Sequence, residues 1–353
     1  MDSITTSDYA VHFNKNAYEA LNDHLSSKSY SKIFVLVDEN TKEHCLPVFK
    51  KHLNPEVTFE LIEIRSGEVH KNIESCTYVW SKLSENDADR KSLMINLGGG
   101  VVTDLGGFVA STFKRGIAFI NIPTTLLAMV DASVGGKTGV DLGTLKNQIG
   151  VINQPEMVLV ATHFLNTLEE RQLQSGFAEM LKHGLIQSVP YWKILKNKTG
   201  FEEIDQLIYE SVLIKNRVVI EDPTEQNLRK ILNYGHTLGH AIESYFLDSI
   251  DKKTLLHGEA IAIGMVLEAF LSHKLSGLSK DALEDIKTTF LERYQKVDFT
   301  EHDIDAILSL LKFDKKNSHG NINFVLLKKI GEPVIDVRIP DSLYKEAFAY
   351  YKD

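Results

Sequence analysis

The sequence is nearly without cysteine, Cys45 and Cys76 being its two. That excludes a disulfide framework and a cysteine-built zinc site, so any metal ion must be held by histidine and carboxylate, and the two thiols are expected to be free. It also lacks any uninterrupted apolar run of the roughly 18 residues a membrane helix needs. Its opening residues, Met1 to Ala10, carry acids and hydroxyls in place of the basic stretch and apolar core of an export signal. The expectation is a cytoplasmic protein with no membrane partner. Positive charge is short too: 39 Lys and Arg against 48 Asp and Glu leave a net charge of −9. That argues against a nucleic-acid partner but leaves room for a local anion site. With 43% hydrophobic and 25% charged residues, disorder and a fibrous protein are excluded. At about 150 residues per domain, 353 residues predict two domains.

What is present changes character along the chain. Up to about Gly150, short β-rich runs (Lys32 to Val37, Val57 to Ile64, Leu93 to Leu97, Ile117 to Ile122) alternate with amphipathic stretches. Strands separated by helices predict a parallel, Rossmann-like sheet with helices on both faces. The apolarity of LMINL fits a strand buried on both sides, and ligands bind where such strands end. From Leu168 onward helical periodicity takes over, at Leu168 to Gln187, Ile204 to Ile220, Leu228 to Phe246, Gly258 to Leu275 and Lys280 to Arg293. A hairpin (Ile322 to Leu327 with Pro333 to Val337) and a closing helix from Asp341 to Tyr350 complete the pattern. The division is an α/β domain over residues 1–165 and a mostly α-helical domain over residues 166–353.

Two glycine-rich stretches stand out. Gly98 to Asp104 (GGGVVTD) follows the buried strand and precedes the helical run Leu105 to Thr112. Glycines let backbone approach a phosphate closely, and a helix start points free N–H groups at negative charge, so a dinucleotide pyrophosphate suits this turn. In Pro123 to Asn147 the GGKT sequence is not a phosphate-binding P-loop, because the glycine required six places before Lys137 is Asp131. What remains is glycine interleaved with Asp131, Lys137, Lys146 and Asn147, polar groups on a mobile backbone.

The helical half carries SGFAEMLK (Ser175 to Lys182), NYGHTLGHAIE (Asn233 to Glu243) and HGEA (His257 to Ala260). His236 and His240, four apart, face one side of a helix and can share a metal ion. Glu179 sits on an otherwise apolar helix, where an ionised carboxylate is costly without a partner such as a metal. Spacing does not choose between His236 with His240 and His236 with His257. Arg229, Asn233 and His236 are expected on one helical face.

Taken together, GGGVVTDLGGFVAS, RGIAFINIPTTLLAMVDASVGGKTGVD, KNQIG, SGFAEMLKHGLI, ILNYGHTLGHAIE and LHGEA resemble the 3-dehydroquinate synthase family of sugar phosphate cyclases, in order and over most of the chain. The resemblance implies an N-terminal NAD-binding α/β domain, a helical metal-binding domain, an active site in the cleft between them, and a homodimer. It implies Glu179, His236 and His257 as ligands of Zn2+ or Co2+. For NAD it implies Asp38, Asn40, Glu68, Lys71, Gly99, Gly100, Val101, Asp104, Thr124, Thr125, Lys146 and the turn Phe164, Leu165, Asn166 and Thr167. For a sugar phosphate substrate bearing carboxylate and phosphate it implies Arg115, Asp131, Lys137, Asn147, Lys182, Lys215, Glu225, Arg229, Asn233, His240 and one of Lys315 or Lys316. The implied chemistry is transient oxidation by NAD, phosphate elimination, return of the hydride and intramolecular aldol closure. Cyclases making 2-deoxy-scyllo-inosose or valiolone-type rings, a metal-dependent alcohol dehydrogenase, and a non-catalytic NAD or sugar-phosphate sensor are the alternatives. The last would be free to lose metal ligands or Lys137, and none is missing.

Overall fold

The computed structural model describes residues 1–143, 145–311 and 322–353, so Lys315 and Lys316 lie outside the described residues. The chain packs as two compact units, Met1–Leu173 with Glu203–Asn216, and Gln174–Glu202 with Arg217–Asp353. A single cut after residue 165 does not reproduce this grouping, because the chain returns to the first unit near residue 205. Asn14 Nδ2 donates to Asp205 Oδ2 (2.9 Å), Phe13 meets Tyr209 edge-on at 5.1 Å, and Asn216 Nδ2 donates to the Thr5 carbonyl (3.1 Å).

The first unit runs β1 (Ile4–Thr5), β2 (Ala10–Phe13), α1 (Asn14–Ser27), β3 (Ile33–Asp38), α2 (Glu39–His44), α3 (Leu46–His52), β4 (Glu60–Ile64), α4 (Ile73–Glu85), β5 (Leu93–Gly98), α5 (Gly100–Thr112), β6 (Ala118–Pro123), β7 (Lys137–Leu142), β8 (Leu145–Ile152) and β9 (Met157–Val160). Its main sheet has the order β1-β2-β9-β6-β5-β3-β4. All neighbours in it are parallel except β1 with β2. Every residue of β5 is buried, as a strand covered on both faces requires. Phe34, Leu36 and Met94 from the strands pack with Val79, Val102, Leu105 and Val109 from α4 and α5.

The second glycine-rich stretch is not a mobile loop. A π-helical turn at Ala128–Ala132 leads into β7, which pairs antiparallel with β8. A Cβ on Gly139 would lie 2.5 Å from the Ile149 carbonyl oxygen, and one on Gly150 2.4 Å from that of Thr138. These glycines serve close approach of the two strands.

The second unit contains α6 (Glu170–Gln187) but for its first turn, α7 (Val189–Lys196), the end of α8 (Asp205–Glu221), α9 (His236–Asp248), α10 (His257–Leu275), α11 (Lys280–Leu291), α12 (Glu301–Leu310), the hairpin β10 (Phe324–Lys329) and β11 (Glu332–Val337), and α13 (Asp341–Lys352). Helix α10 is apolar on nearly every side and is buried from Ala260 through Ser272, which makes it the centre of this unit. No helix among the described residues is long and apolar enough to cross a membrane. Cys45 and Cys76 are both buried free thiols.

The start of α10 meets α6 at backbone distance. Gly258 N donates to Ser175 Oγ (2.9 Å), and a Cβ at Gly258 would lie 1.9 Å from the Ser175 carbonyl oxygen. Backbone cannot swing aside as a flexible side chain can. Gly258→Ala is therefore expected to destabilise the protein by about 2–3 kcal/mol, seen as a lower urea midpoint. An unchanged midpoint would contradict this packing.

Candidate active site

The carboxyl ends of the parallel strands bring the implied cofactor residues to one edge of the first unit. Asp38 ends β3, Gly98 ends β5, Pro123 ends β6 just before Thr124 and Thr125, and β9 leads into the 3-10 turn Thr162–Thr167. Ligands of open α/β sheets bind along such an edge. Asp38 Oδ1 accepts from Thr41 N (2.8 Å) and caps α2, which fixes Asn40 in that helix. Helix α5 begins at Gly100 and not at Leu105, so Gly100, Val101 and Asp104 belong to its first turns. The β-branched and glycine residues there did not look helical, but the helix start gains its anchor from packing on β5. A Cβ at Gly99 would lie 2.8 Å from Thr125 Cγ2, so only glycine lets the two strand ends approach this closely. The N–H groups of the first turn of α5 are the donors a pyrophosphate would need.

Beside this edge lies a buried ionic network. Lys71 Nζ donates to Asp104 Oδ2 (2.6 Å) and to Asn147 Oδ1 (2.7 Å) and lies 3.8 Å from Glu68 Oε1. Lys146 Nζ contacts Glu68 Oε1 and lies 3.4 Å from Asp141 Oδ2, while Asp141 Oδ1 accepts from Asn147 N (2.6 Å). Burial would lower the Lys71 pKa, but Asp104 and Glu68 outweigh it and hold the ammonium above its ordinary value. Asn147 has φ 51°, a left-handed conformation in which its neighbours hold it. Lys215 Nζ donates to Asp131 Oδ1 (2.7 Å), and Lys137 opens β7. Arg115 is elsewhere in this unit: it precedes the amino end of β6, whereas Thr124 and Thr125 follow its carboxyl end.

In the second unit, α6, α9 and α10 converge on Glu179, whose side chain is wholly inaccessible. Glu179 Oε1 lies 3.4 Å from His236 Nε2 and 3.5 Å from His257 Nε2, and Lys182 Nζ contacts Glu179 Oε2. The far nitrogen of each ring is fixed as well. His236 Nδ1 lies 3.1 Å from the Tyr234 carbonyl and His257 Nδ1 3.1 Å from Glu243 Oε2. Burial would lower the His257 pKa, but Glu243 and then Glu179 reverse this and raise it to about 10. His240 stands beside both, with ring centroids 5.1 Å from His236 and 5.8 Å from His257. One nitrogen of each of the three rings lies within 4.8 Å of the others.

The arrangement fits a divalent ion. Bonds of about 2.0–2.2 Å in tetrahedral geometry separate ligand atoms by about 3.3–3.6 Å, the spacing found between the carboxylate oxygen and the two ring nitrogens. Outer acceptors that fix each tautomer are the usual companions of ligating imidazoles. Glu243 and Asp141 were not singled out from the sequence, although Glu243 lies in the histidine motif one heptad beyond His236.

Arg229, Asn233 and His236 do not share one helical face. Arg229 and Asn233 lie in the 3-10 turn Leu228–Asn233, and Gly235, with φ 79°, breaks the chain before α9 begins at His236. Each is nonetheless held. Arg229 is buried, its Nη1 donates to the Pro223 carbonyl (2.6 Å), and Asn233 Nδ2 donates to Glu225 Oε1 (2.8 Å).

The model of the 3-dehydroquinate synthase N-terminal region matches residues 61–175, and that of the C-terminal region residues 176–317. The 3-dehydroquinate synthase of Parabacteroides distasonis is 43% identical over 336 residues, covering 94% of this chain and 93% of the relative. That of Campylobacter jejuni is 37% identical over 335 residues, covering 92% and 94%. Among solved structures, a 2-deoxy-scyllo-inosose synthase complexed with carbaglucose-6-phosphate, NAD+ and Co2+ superposes with TM-score 0.84 at 22% identity, covering 99% of each chain. A 2-epi-5-epi-valiolone synthase from Streptomyces hygroscopicus with NAD+ and Zn2+ bound gives TM-score 0.84 at 24% identity, covering 100% of this chain and 99% of the other. At these identities the two structures share the fold.

Proposed function

Because the chain belongs to the 3-dehydroquinate synthase family, we propose that it converts 3-deoxy-arabino-heptulosonate 7-phosphate to 3-dehydroquinate and phosphate. This is a carbon–oxygen lyase reaction of the shikimate pathway toward aromatic amino acids, carried out in the cytoplasm. This rests on the convergence of His236 Nε2 and His257 Nε2 on the same buried oxygen of Glu179, Oε1. On this reading Glu179, His236 and His257 hold Zn2+ or Co2+, His240 stands next to them, and the strand-end residues of the first unit with Glu68, Lys71 and Lys146 hold NAD. The NAD+ and the Co2+ or Zn2+ bound in the two cyclase structures support these cofactors.

Bound NAD would supply a transient hydride acceptor, and the bound ion a Lewis acid for the substrate hydroxyls. The chain supplies the rest. Lys137, Lys182, Lys215 and Arg229 provide cations for a substrate with a carboxylate and a phosphate, in a protein that is acidic overall. The Pro223 carbonyl orients the Arg229 guanidinium, and Glu225 orients the Asn233 amide. Asp131 sets the Lys215 ammonium, and Asn147 is held between Lys71 and Asp141. On this reading His240, beside the two ligand histidines, takes a substrate hydroxyl proton on a ring nitrogen. The departing phosphate, held by Lys and Asn side chains, assists removal of the neighbouring C–H proton. An acceptor that gives the hydride back within each turnover would need no external reductant. The placement of Arg115 at the opposite end of β6 from the cofactor residues supports a homodimer as the working form, since one chain does not bring it to them.

With NAD far below substrate concentration, the protein is expected to release one phosphate per 3-dehydroquinate formed over many turnovers. No release, or release only from another sugar phosphate, would overturn the assignment. Lys137→Ala is expected to keep the metal and to lower kcat/KM by about 10- to 100-fold, the loss of one charge-assisted hydrogen bond. Unchanged kinetics would remove Lys137 from the substrate site.

A further inference from the structure

One face of α10 does two things. His257, Ile261, Gly264 and Glu268 follow one another at intervals of four, three and four residues and so lie along a single stripe. The first presents its ring to Glu179. The other three seat α9. A Cβ on Gly264 would lie 2.0 Å from the Gly235 carbonyl oxygen, and one on Gly239 2.7 Å from Ile261 Cδ1, so glycine on both helices lets their backbones nearly touch. One turn beyond Gly264, the inaccessible carboxylate of Glu268 accepts from Gly235 N through Oε2 (2.6 Å) and from Leu238 N through Oε1 (3.3 Å).

Helix α9 has no capping side chain of its own. Its N-cap is Gly235 in the left-handed conformation, which carries no acceptor. Two of the amide groups at its start are satisfied from α10, by a negative charge at the positive end of the helix dipole. The first residue of the helix so anchored is His236, and its ring depends on the same turn through Nδ1 and the Tyr234 carbonyl.

Resting on the metal-site reading above, we infer that Glu268 is a positioning residue for the metal centre. As a cap borrowed from α10, it fixes the height and rotation of α9 and so sets His236 Nε2 at its distance from Glu179 and His257. Neither its charge nor its oxygens reach the ion. It acts through the backbone of residues 235–238.

Glu268→Gln keeps the shape and one acceptor oxygen but removes the charge. In the full-length protein, zinc affinity measured by competition with a chromogenic chelator is expected to fall by about 10- to 100-fold, the range for supports of metal ligands. The visible absorption of the cobalt-loaded protein is expected to shift in position and intensity, which a general loss of stability would not produce. NAD affinity, a property of the first unit, should be unchanged. Glu268→Asp retains the charge and withdraws it by one methylene. It serves if the glutamine variant does not fold, with a zinc affinity expected at least about fivefold below the parent. A folded variant of either kind with the parental zinc affinity and cobalt spectrum would overturn the inference. Failure of the parent protein to bind zinc would instead overturn the metal-site reading.

Discussion

Glu179→Ala should leave a protein that binds no stoichiometric zinc and releases no phosphate from the heptulosonate phosphate. The carboxylate is the common point of the site, with Oε1 facing both imidazoles and Oε2 facing Lys182. Removing it takes one of three ligands and leaves Lys182 as a buried charge without its carboxylate. Breaking a buried pair from one side costs about 3–5 kcal/mol, so the alanine variant is also expected to melt earlier. Glu179→Gln separates the two effects. It preserves volume and much of the packing, yet a neutral amide is a much weaker ligand for zinc than a carboxylate, so metal and activity should still be lost. Elemental analysis of the dialysed proteins checks this. Stoichiometric zinc in either variant would remove Glu179 from the ligand set.

The second large effect is expected at Lys71. Its ammonium ties Asp104 on α5 and Glu68 before α4 to Asn147 on β8, three segments far apart in sequence. Lys71→Met fills the space but takes the ammonium from the half-buried Asp104 and leaves Glu68 with Lys146 alone. The strand-end groups around the first turn of α5 then lose their common fixed point. NAD affinity is expected to fall by about 10- to 100-fold, the equivalent of one charge-assisted hydrogen bond, with destabilisation of about 3 kcal/mol. Lys71→Arg should not rescue it, since a planar guanidinium cannot replace a compact ammonium in a closed pocket. Calorimetric titration with NAD measures the loss, and zinc content reports whether the second unit is intact. Parental NAD affinity in Lys71→Met would mean that the network is structural only.

The sequence made the central strands legible because both of their faces are buried. Lys32 to Val37 and Leu93 to Leu97 are apolar without alternation, and the structure places β3 and β5 there. Short β2 and β9 carry too few residues for a pattern, and β7 and β8 were hidden by the glycines that let them pair closely. The periodicity from Leu228 to Phe246 suggested one helix because apolar spacing does not register a left-handed glycine, yet Gly235 is where it breaks. For the site, Glu179 announced itself as an acid on an apolar helix, and the His236 and His240 spacing suggested a metal. The remaining partners are set by tertiary contacts. Glu243 reaches His257 across 14 residues and Glu268 reaches Gly235 across 33, separations that no local pattern encodes.

If one carboxylate and two imidazoles of the helical unit hold a divalent ion, anomalous diffraction from zinc-loaded crystals, recorded at the zinc edge, will locate it. A single strong peak is expected about 2.0–2.2 Å from Glu179 Oε1, His236 Nε2 and His257 Nε2, with His240 outside bonding distance. A peak bonded to His236, His240 and His257 with Glu179 left aside, or no peak near these residues, would contradict it.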